Sequence, residues 1–404
     1  MIGDACEKGR TFNSIGKRKG SLKEEIGSVC MDAKKLDTGL RDAISLLPQE
    51  VLGDILSLLP TKLAASTSVL SKKWRNVFAL VHNLDFDDSV LLRPEERNEE
   101  WDVIRESFRN FVDRTIAMQC GSPIKKFSLK CQIVGDSEMA HVGRWISNAI
   151  ERGVLEVDLS LKTYARLFLP CELFKSKTLV KLTLGSQISL MKMPPDVSLP
   201  VLKSLFIDSI FFDGGDLCYV FLPGCPVLEE LFVRHEEEVG IPLCICSATI
   251  KKLSVYYDLE SEIDFMGGMS FNAPSLVSLN YRDYALSEYP QVNLKSLVEA
   301  RLDIHYSKVI KKPNLTGLIR GMSNVKTLHL SPASVDVISL CVKKHGLLLP
   351  VFNNLVNLSF GSKNKRGWKL LPYLLKQSPK LETVIIQGLD GYTSDLTMRV
   401  KVLH

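Results

Sequence analysis

One short phrase recurs through most of the chain and constrains any fold it can adopt. It consists of an aliphatic residue, two mostly polar residues, and then an alternating apolar–polar–apolar stretch. The copies read IKKFSL from Ile124, VLEVDL from Val154, LVKLTL from Leu179, LKSLFI from Leu202 and LEELFV from Leu228. They continue as IKKLSV from Ile250, LVSLNY from Leu276, LVEARL from Leu297, VKTLHL from Val325, LVNLSF from Leu355 and LETVII from Leu381. Successive copies start 21 (Leu276 to Leu297) to 30 (Ile124 to Val154) residues apart, a period that suits one strand and one return segment. The alternation predicts a strand in each copy, with its aliphatic side chains on one face. A lone unit cannot bury that face, so the units must stack with their strands side by side.

A different texture precedes the repeats. The stretch DAISLLPQEVLGDILSLLPTKLAASTSVLSKKWRNVFALVHNLDFDD, Asp42 to Asp88, predicts three short helices. Pro48 suits the first helical position, where its missing N–H is not needed. Val51, Leu52, Ile55, Leu56 and Leu59 then keep a helical spacing, and Pro60 ends the element. Thr61 is the expected N-cap of a second helix running to about Leu70, and Ser71 of a third that carries Trp74 and Phe78. A unit of this size holds too little core volume for so many aliphatic side chains, so some must be covered from outside. LDFDDS, Leu84 to Ser89, offers Asp85, Asp87 and Asp88 but lacks the Gly and distal Glu of a calcium loop. It reads as a solvated acidic turn closing the helical unit.

Two amphipathic helices follow. The first lies between Asn98 and Cys120, with a stripe of Trp101, Ile104, Phe108, Phe111, Val112 and Ile116. The second spans roughly His141 to Glu151, with Val142, Trp145, Ile146 and Ile150 inward. Residues 1–40 are polar and aperiodic and read as a disordered leader, with Lys17 to Lys19 as its densest basic spot.

Composition narrows the function class. A hydrophobic fraction of 45%, a charged fraction of 24% and a net charge of +5 describe an ordinary globular chain without the basic stripe of a nucleic-acid binder. The apolar runs fall short of a membrane span. The ten cysteines form no CxxC pair, and Cys244 and Cys246, one residue apart, depart from the usual zinc-knuckle spacing. No metal or cofactor is therefore expected, and reduced thiols suit a cytoplasmic or nuclear protein. Phosphate-binding, nucleophile-elbow and zincin signatures are missing from the sequence, which argues against an enzyme.

ISLLPQEVLGDILSLLPTKLAASTSVLSKKWRNV resembles the F-box motif in its plant form, followed by leucine-rich repeats. FVDRTIAMQ at Phe111, SPIKKFSLKC at Ser122, TLVKLTLG at Thr178, LPGCPVLEELFV at Leu222 and APSLVSLNY at Ala273 match the same family. NLVNLSFG and GWKLLPYLLKQSPKLETVII resemble the start of the FBD domain that closes many of its members, shortened here after LETVIIQGL. The resemblance implies an α/β fold: a short three-helix F-box, then an irregular leucine-rich-repeat solenoid with parallel strands. The Asn or Cys that usually follows the last aliphatic position of such repeats is mostly missing, so uneven connections are expected. The implied organisation is a leader over 1–40, an F-box over 41–89, a linking amphipathic helix over 90–121, repeats over 122–350 and an FBD-like end over 351–404. That end is expected to leave apolar sheet edge exposed.

Family members are substrate receptors of SCF-type ubiquitin ligases. Their F-box docks on a Skp-family adaptor, which links it to a cullin and a RING protein, and the repeats bind the protein to be ubiquitinated. By motif position, Leu47, Pro48, Val51, Ile55, Leu59, Pro60, Leu70 and Trp74 form the adaptor-contacting or core-supporting set. Spacing alone leaves open which of them face the adaptor. The strand residues between the aliphatic positions select Phe206, Asp208, Phe232, Arg234, Tyr256, Arg282, Arg301 and His329 as the client-facing set. The alternative is a protein-binding scaffold without ligase recruitment, and neither reading expects a catalytic residue, a nucleic acid or a membrane as partner.

Overall fold

The computed structural model describes residues 44, 47–90, 101–119, 121–163, 169–185, 189–190, 194–212, 215–236, 241–258, 268–362, 365–387 and 397–401. The leader expected over 1–40 lies outside them.

Two prolines frame the N-terminal helices: Pro48 stands one residue before the first helical position expected for it, and the first helix stops at Leu56, short of Leu59 and of the Pro60 expected to end it. Helix α1 (Gln49–Leu56) and helix α2 (Thr61–Thr67) are capped by Pro48 and Pro60, whose ψ angles of 147° and 137° make each the last extended residue before the turn. Thr61 is thus inside α2 and is no cap; it is buried, and its Oγ1 accepts from the Asp85 backbone N–H at 2.6 Å. Helix α2 ends at Thr67, short of Leu70, where Ser66, Thr67 and Ser68 each turn a hydroxyl onto the carbonyl three residues back. Helix α3 (Lys72–Phe78) starts as expected, with Ser71 accepting from the Trp74 N–H at 3.3 Å.

Helix α4 (Trp101–Met118) buries Phe108 and Val112. Helix α5 (Asp136–Glu151) buries Val142, Trp145 and Ile146, and begins a turn before His141. Asp136 and Glu138 suit the positive end of its dipole, and Glu138 also accepts from the Val134 N–H at 2.7 Å.

One sheet of thirteen strands runs the length of the described chain. It opens with β1 (Asn83–Asp87), β2 (Lys126–Ile133), β3 (Glu156–Thr163) and β4 (Lys181–Gly185). After the short β5 (Ser189–Leu190) come β6 (Ser204–Asp208), β7 (Phe211–Phe212), β8 (Glu230–His235), β9 (Cys244–Cys246) and β10 (Lys252–Tyr257). Then follow β11 (Ser270–Asn272), β12 (Ser278–Tyr284), β13 (Val292–Asn293) and β14 (Glu299–His305). The last are β15 (Thr327–Leu330), β16 (Asn357–Gly361), β17 (Thr383–Gln387) and β18 (Thr397–Lys401). The ladder order is β1-β2-β3-β4-β6-β8-β10-β12-β14-β15-β16-β17-β18, and every neighbour pair is parallel except the last.

The register is that of the repeated phrase. Its fourth position aligns across the sheet as Phe127, Val157, Leu182, Leu205, Leu231, Leu253, Leu279, Ala300, Leu328, Leu358 and Val384. All are buried, as are the leading residues from Ile124 to Leu381. A slip of one residue would turn each strand's apolar row to solvent, which is why the register holds.

Of the acidic turn expected at LDFDDS, Leu84 to Asp87 belong to strand β1, and only Asp88 and Ser89 lie in a 3₁₀ turn, where Asp88 is buried. Val81, Leu84 and Phe86 are buried and repeat the phrase as VHNLDF, with Leu84 paired to Phe127. The three-helix segment therefore ends in a twelfth copy of the unit that builds the sheet. The other end also differs from expectation. β18 runs antiparallel along β17, from Thr383 opposite Lys401 to Gln387 opposite Thr397, so the edge of β17 is paired.

The longest intervals between copies hold helices behind the sheet. The two 30-residue intervals, Ile124 to Val154 and Val325 to Leu355, hold α5 and helix α7 (Pro332–Lys344). The 28-residue interval holds only α6 (Thr316–Gly321), and the interval before Leu381 holds α8 (Lys365–Trp368) and α9 (Leu371–Lys376). Shorter intervals in the middle return through 3₁₀ or π turns and through the small sheets β5–β7 and β9–β11–β13. The uneven connections inferred from the missing Asn are present.

Candidate functional site

Two surfaces stand out, one at each level of the architecture. The first is on the N-terminal helices. The apolar stripe of α1 divides into two faces: Leu52 and Leu56 are 2% and 3% exposed, while Val51 and Ile55 point outward. Leu52 and Leu56 belong to one core with Ala64, Val77 and Phe78. Gly53 makes that contact close, since a Cβ there would stand 2.9 Å from the Leu80 Cβ. Leu47, Pro48, Leu59, Pro60 and Leu70 join Val51 and Ile55 on the outside, whereas Trp74 is half-buried against the core.

The outward set is larger than the sequence suggested. Leu58 and Val69 are each 83% exposed, and Leu63 also faces solvent. Leu58 and Val69 sit in the turns after α1 and α2, where helical periodicity no longer assigns a face. With these residues the N-terminal helices and their turns expose several large aliphatic side chains.

Polar contacts fix this surface to the sheet. The His82 N–H donates to the Ser57 Oγ at 3.1 Å, and the Gln119 side-chain amide donates to the Val81 carbonyl at 2.6 Å. Asp88, buried, accepts from the Gln132 N–H at 2.8 Å. With β1 in the ladder, the helices are continuous with the repeats.

The second surface is the solvent face of the ladder. All eight side chains selected from the strands lie on it, in two adjacent rows. Phe206 pairs with Phe232, and Arg301 with both Asn280 and His329. In the neighbouring row Asp208 pairs with Arg234, Arg234 with Tyr256, and Tyr256 with Arg282. The rings of Phe206 and Phe232 stack at 4.1 Å and 6°, and those of Phe232 and Tyr256 at 5.2 Å and 28°. Asn280 donates its side-chain amide to the Tyr256 hydroxyl.

The charges beside this aromatic strip are internally balanced. Arg234 lies 3.8 Å from Asp208 and also pairs with Glu236. Arg282 bridges Asp258 at 2.8 Å and Asp303 at 3.6 Å. Arg301 meets Glu299 at 2.9 Å, and His329 reaches the same carboxylate at 3.6 Å. Burial, helped by Arg301 and opposed by Glu299, lowers the His329 pKa, so the ring is neutral near pH 7. The face thus offers flat apolar area beside paired polar groups.

The profile described as "F-box domain" matches residues 44–85, which cover α1 to α3 and run into β1. A second, described as "FBD-associated F-box protein At5g56370, LRR repeats", matches residues 142–294, from α5 to β13. F-box/LRR-repeat protein At3g60040 of Arabidopsis thaliana is 55% identical over 388 residues, which are 93% of this chain and 86% of that protein. F-box/LRR-repeat protein At1g06630 of the same plant is 56% identical over 371 residues, 91% of this chain and 90% of that protein. Putative F-box/LRR-repeat protein At3g42770, also from Arabidopsis, is 46% identical over 369 residues, 89% and 68% of the two chains. The chain belongs to the F-box/LRR-repeat family. Proteins of this F-box/LRR-repeat type are generally substrate adaptors of SCF complexes and not enzymes, and F-box domains typically bind Skp-family adaptors. Among the described residues no helix is long and apolar enough to cross a membrane.

Proposed function

We propose that this F-box/LRR-repeat protein is the substrate-recognition subunit of an SCF-type ubiquitin ligase in the cytoplasm or nucleus. Helices α1 to α3 dock on a Skp-family adaptor, and through it on a cullin and a RING protein. What carries the reading is the division of the F-box side chains: Leu52, Leu56, Val77 and Phe78 fill its core, while Leu47, Val51, Ile55, Leu59 and Leu70 face outward. Pro48 and Pro60 set where α1 and α2 start, and Trp74 supports the core from beneath. Ubiquitin transfer belongs to the associated enzymes. Full-length chain carrying Leu47→Ala with Pro48→Ala should no longer co-purify with a Skp-family adaptor while keeping its folded-state circular dichroism. Retained capture by that variant would remove the docking mechanism and leave a repeat scaffold without ligase recruitment.

The ladder face is the client site in this reading. The stack Phe206–Phe232–Tyr256 supplies the apolar centre, and Asp208, Arg234, Arg282, Arg301 and His329 form its polar rim. Proximity labelling under proteasome inhibition, with and without the F-box, should enrich proteins that accumulate only when degradation is blocked. A label set indifferent to both changes would speak against a degradation receptor.

A further inference from the structure

On the opposite side of the repeats from the client face, three cysteines distant in sequence meet. Strand β9 reads Cys244-Ile245-Cys246, and Ile245 is fully buried. Strand alternation sends the thiols of Cys244 and Cys246 together to the other side, away from that core. There the π turn Leu217–Phe221 lies over the strand and presents Cys218, 26 residues before Cys244. The Cys218 and Cys244 sulfurs are 3.2 Å apart, those of Cys244 and Cys246 3.1 Å apart, and all three lie within 4.8 Å of one another.

We propose that Cys218, Cys244 and Cys246 form a binding site for a thiophilic d10 cation, Zn(II) in the first instance. Four-coordinate Zn(II) holds its sulfurs about 2.3 Å from the metal, so neighbouring sulfurs stand about 3.8 Å apart. The thiols need shift only by about half an ångström to reach that spacing. Three protein sulfurs leave the fourth coordination position for water, and a solvent route exists. Cys246 also lines an open cleft of about 450 Å³ bounded by Leu222, Pro223, Ser247 and Asn272. Loading releases the three thiol protons to solvent through this cleft.

The Tyr219 hydroxyl lies within hydrogen-bonding reach of Cys244, where it would support the thiolate. The site has a structural consequence as well. β9 is the outer strand of the β9–β11–β13 sheet, and a cation shared with Cys218 would clip the π turn across its edge. This inference is independent of the ligase reading.

The test uses the reduced full-length chain under anaerobic conditions. After equilibration with Zn(II) against a chromophoric chelator, metal analysis should find a single retained equivalent. Co(II) in the same site should give sulfur-to-cobalt charge transfer of three-thiolate intensity together with tetrahedral d–d bands. Cys218→Ser and Cys246→Ser should each abolish the three-thiolate spectrum, whereas Cys171→Ser, at an exposed cysteine elsewhere, should retain it. Zn(II) should raise the unfolding temperature of the unmodified chain and leave that of Cys218→Ser unchanged. The spectrum of the unmodified chain stands even where a serine variant folds poorly. Stoichiometric metal indifferent to Cys218→Ser would overturn the site. So would freshly isolated chain in which two of these thiols are already joined as a disulfide and Zn(II) is excluded.

Discussion

The F-box and the ladder face treat their exposed apolar side chains in opposite ways. On α1 to α3 and the turns between them the outward aliphatics face solvent, and Leu58, Val69 and Leu70 are 83%, 83% and 71% exposed. On the ladder the exposed apolar groups already lie against one another, Phe206 on Phe232 on Tyr256, with every neighbouring arginine in an ion pair. The first surface gains hydrophobic burial only when a second protein covers it. The second has satisfied much of its chemistry within the chain, so a client must compete with contacts that exist without it. In our reading this separates a fixed docking end from a selective one.

The sharpest way to break the comparison is at the F-box. Ile55→Asp with Leu70→Asp should abolish adaptor capture while shifting stability by less than about 1 kcal/mol, because both side chains are exposed. Leu56→Ala, one residue from Ile55 but inward, should cost about 2–5 kcal/mol in denaturant unfolding. Equal stability losses at the two sites would contradict the two-faced helix.

The next contrast concerns pH. Asp283 is buried in the repeats with its carboxylate 2.6 Å from the Tyr281 hydroxyl, and burial raises its pKa from 3.8 to about 7. Between those values the folded chain holds a proton that the unfolded chain has lost. The stability contributed by this group therefore falls as pH rises through that window and is flat above about 7. Asp283→Asn should remove that slope from thermal unfolding followed between roughly pH 4 and pH 7. A slope unchanged in the variant would place the titration elsewhere.

Smaller effects separate binding from folding on the ladder. Phe232→Ala removes the middle ring of the stack and should cost about 1–3 kcal/mol in stability while weakening client labelling. Labelling unaltered by that change would move the client site off these strands. Smallest of all, Ser71→Ala should cost about 1 kcal/mol through loss of the α3 cap, with adaptor capture retained at saturating adaptor.

Much of the fold was legible because its signal is local and repeated. Eleven copies of one phrase carried strand, register and burial, and each became a ladder strand with its leading residue buried. VHNLDF escaped because its aspartates looked solvated and its leading Val81 follows directly on a helix. Thr61 sits one residue inside its helix because Pro60 takes the cap position and the Thr61 Oγ1 accepts from the Asp85 N–H, a contact 24 residues away in sequence. On the ladder, period-2 alternation placed all eight candidate residues on one face. It could not show that three of them would stack, or that Arg234, Arg282 and Arg301 would each find a carboxylate.

Side-chain alternation within a few residues is enough to dictate the repeat, the inward rows and the need for a stacked parallel sheet. Which half of the α1 stripe faces out is set by the packed chain, because α3 packs against Leu52 and Leu56. The tertiary structure alone joined the F-box to the ladder through β1, and closed β17 with an antiparallel strand. It alone brought Cys218 beside Cys244 and Cys246. Those outcomes depend on contacts between segments tens of residues apart, and no local pattern encodes such a distance.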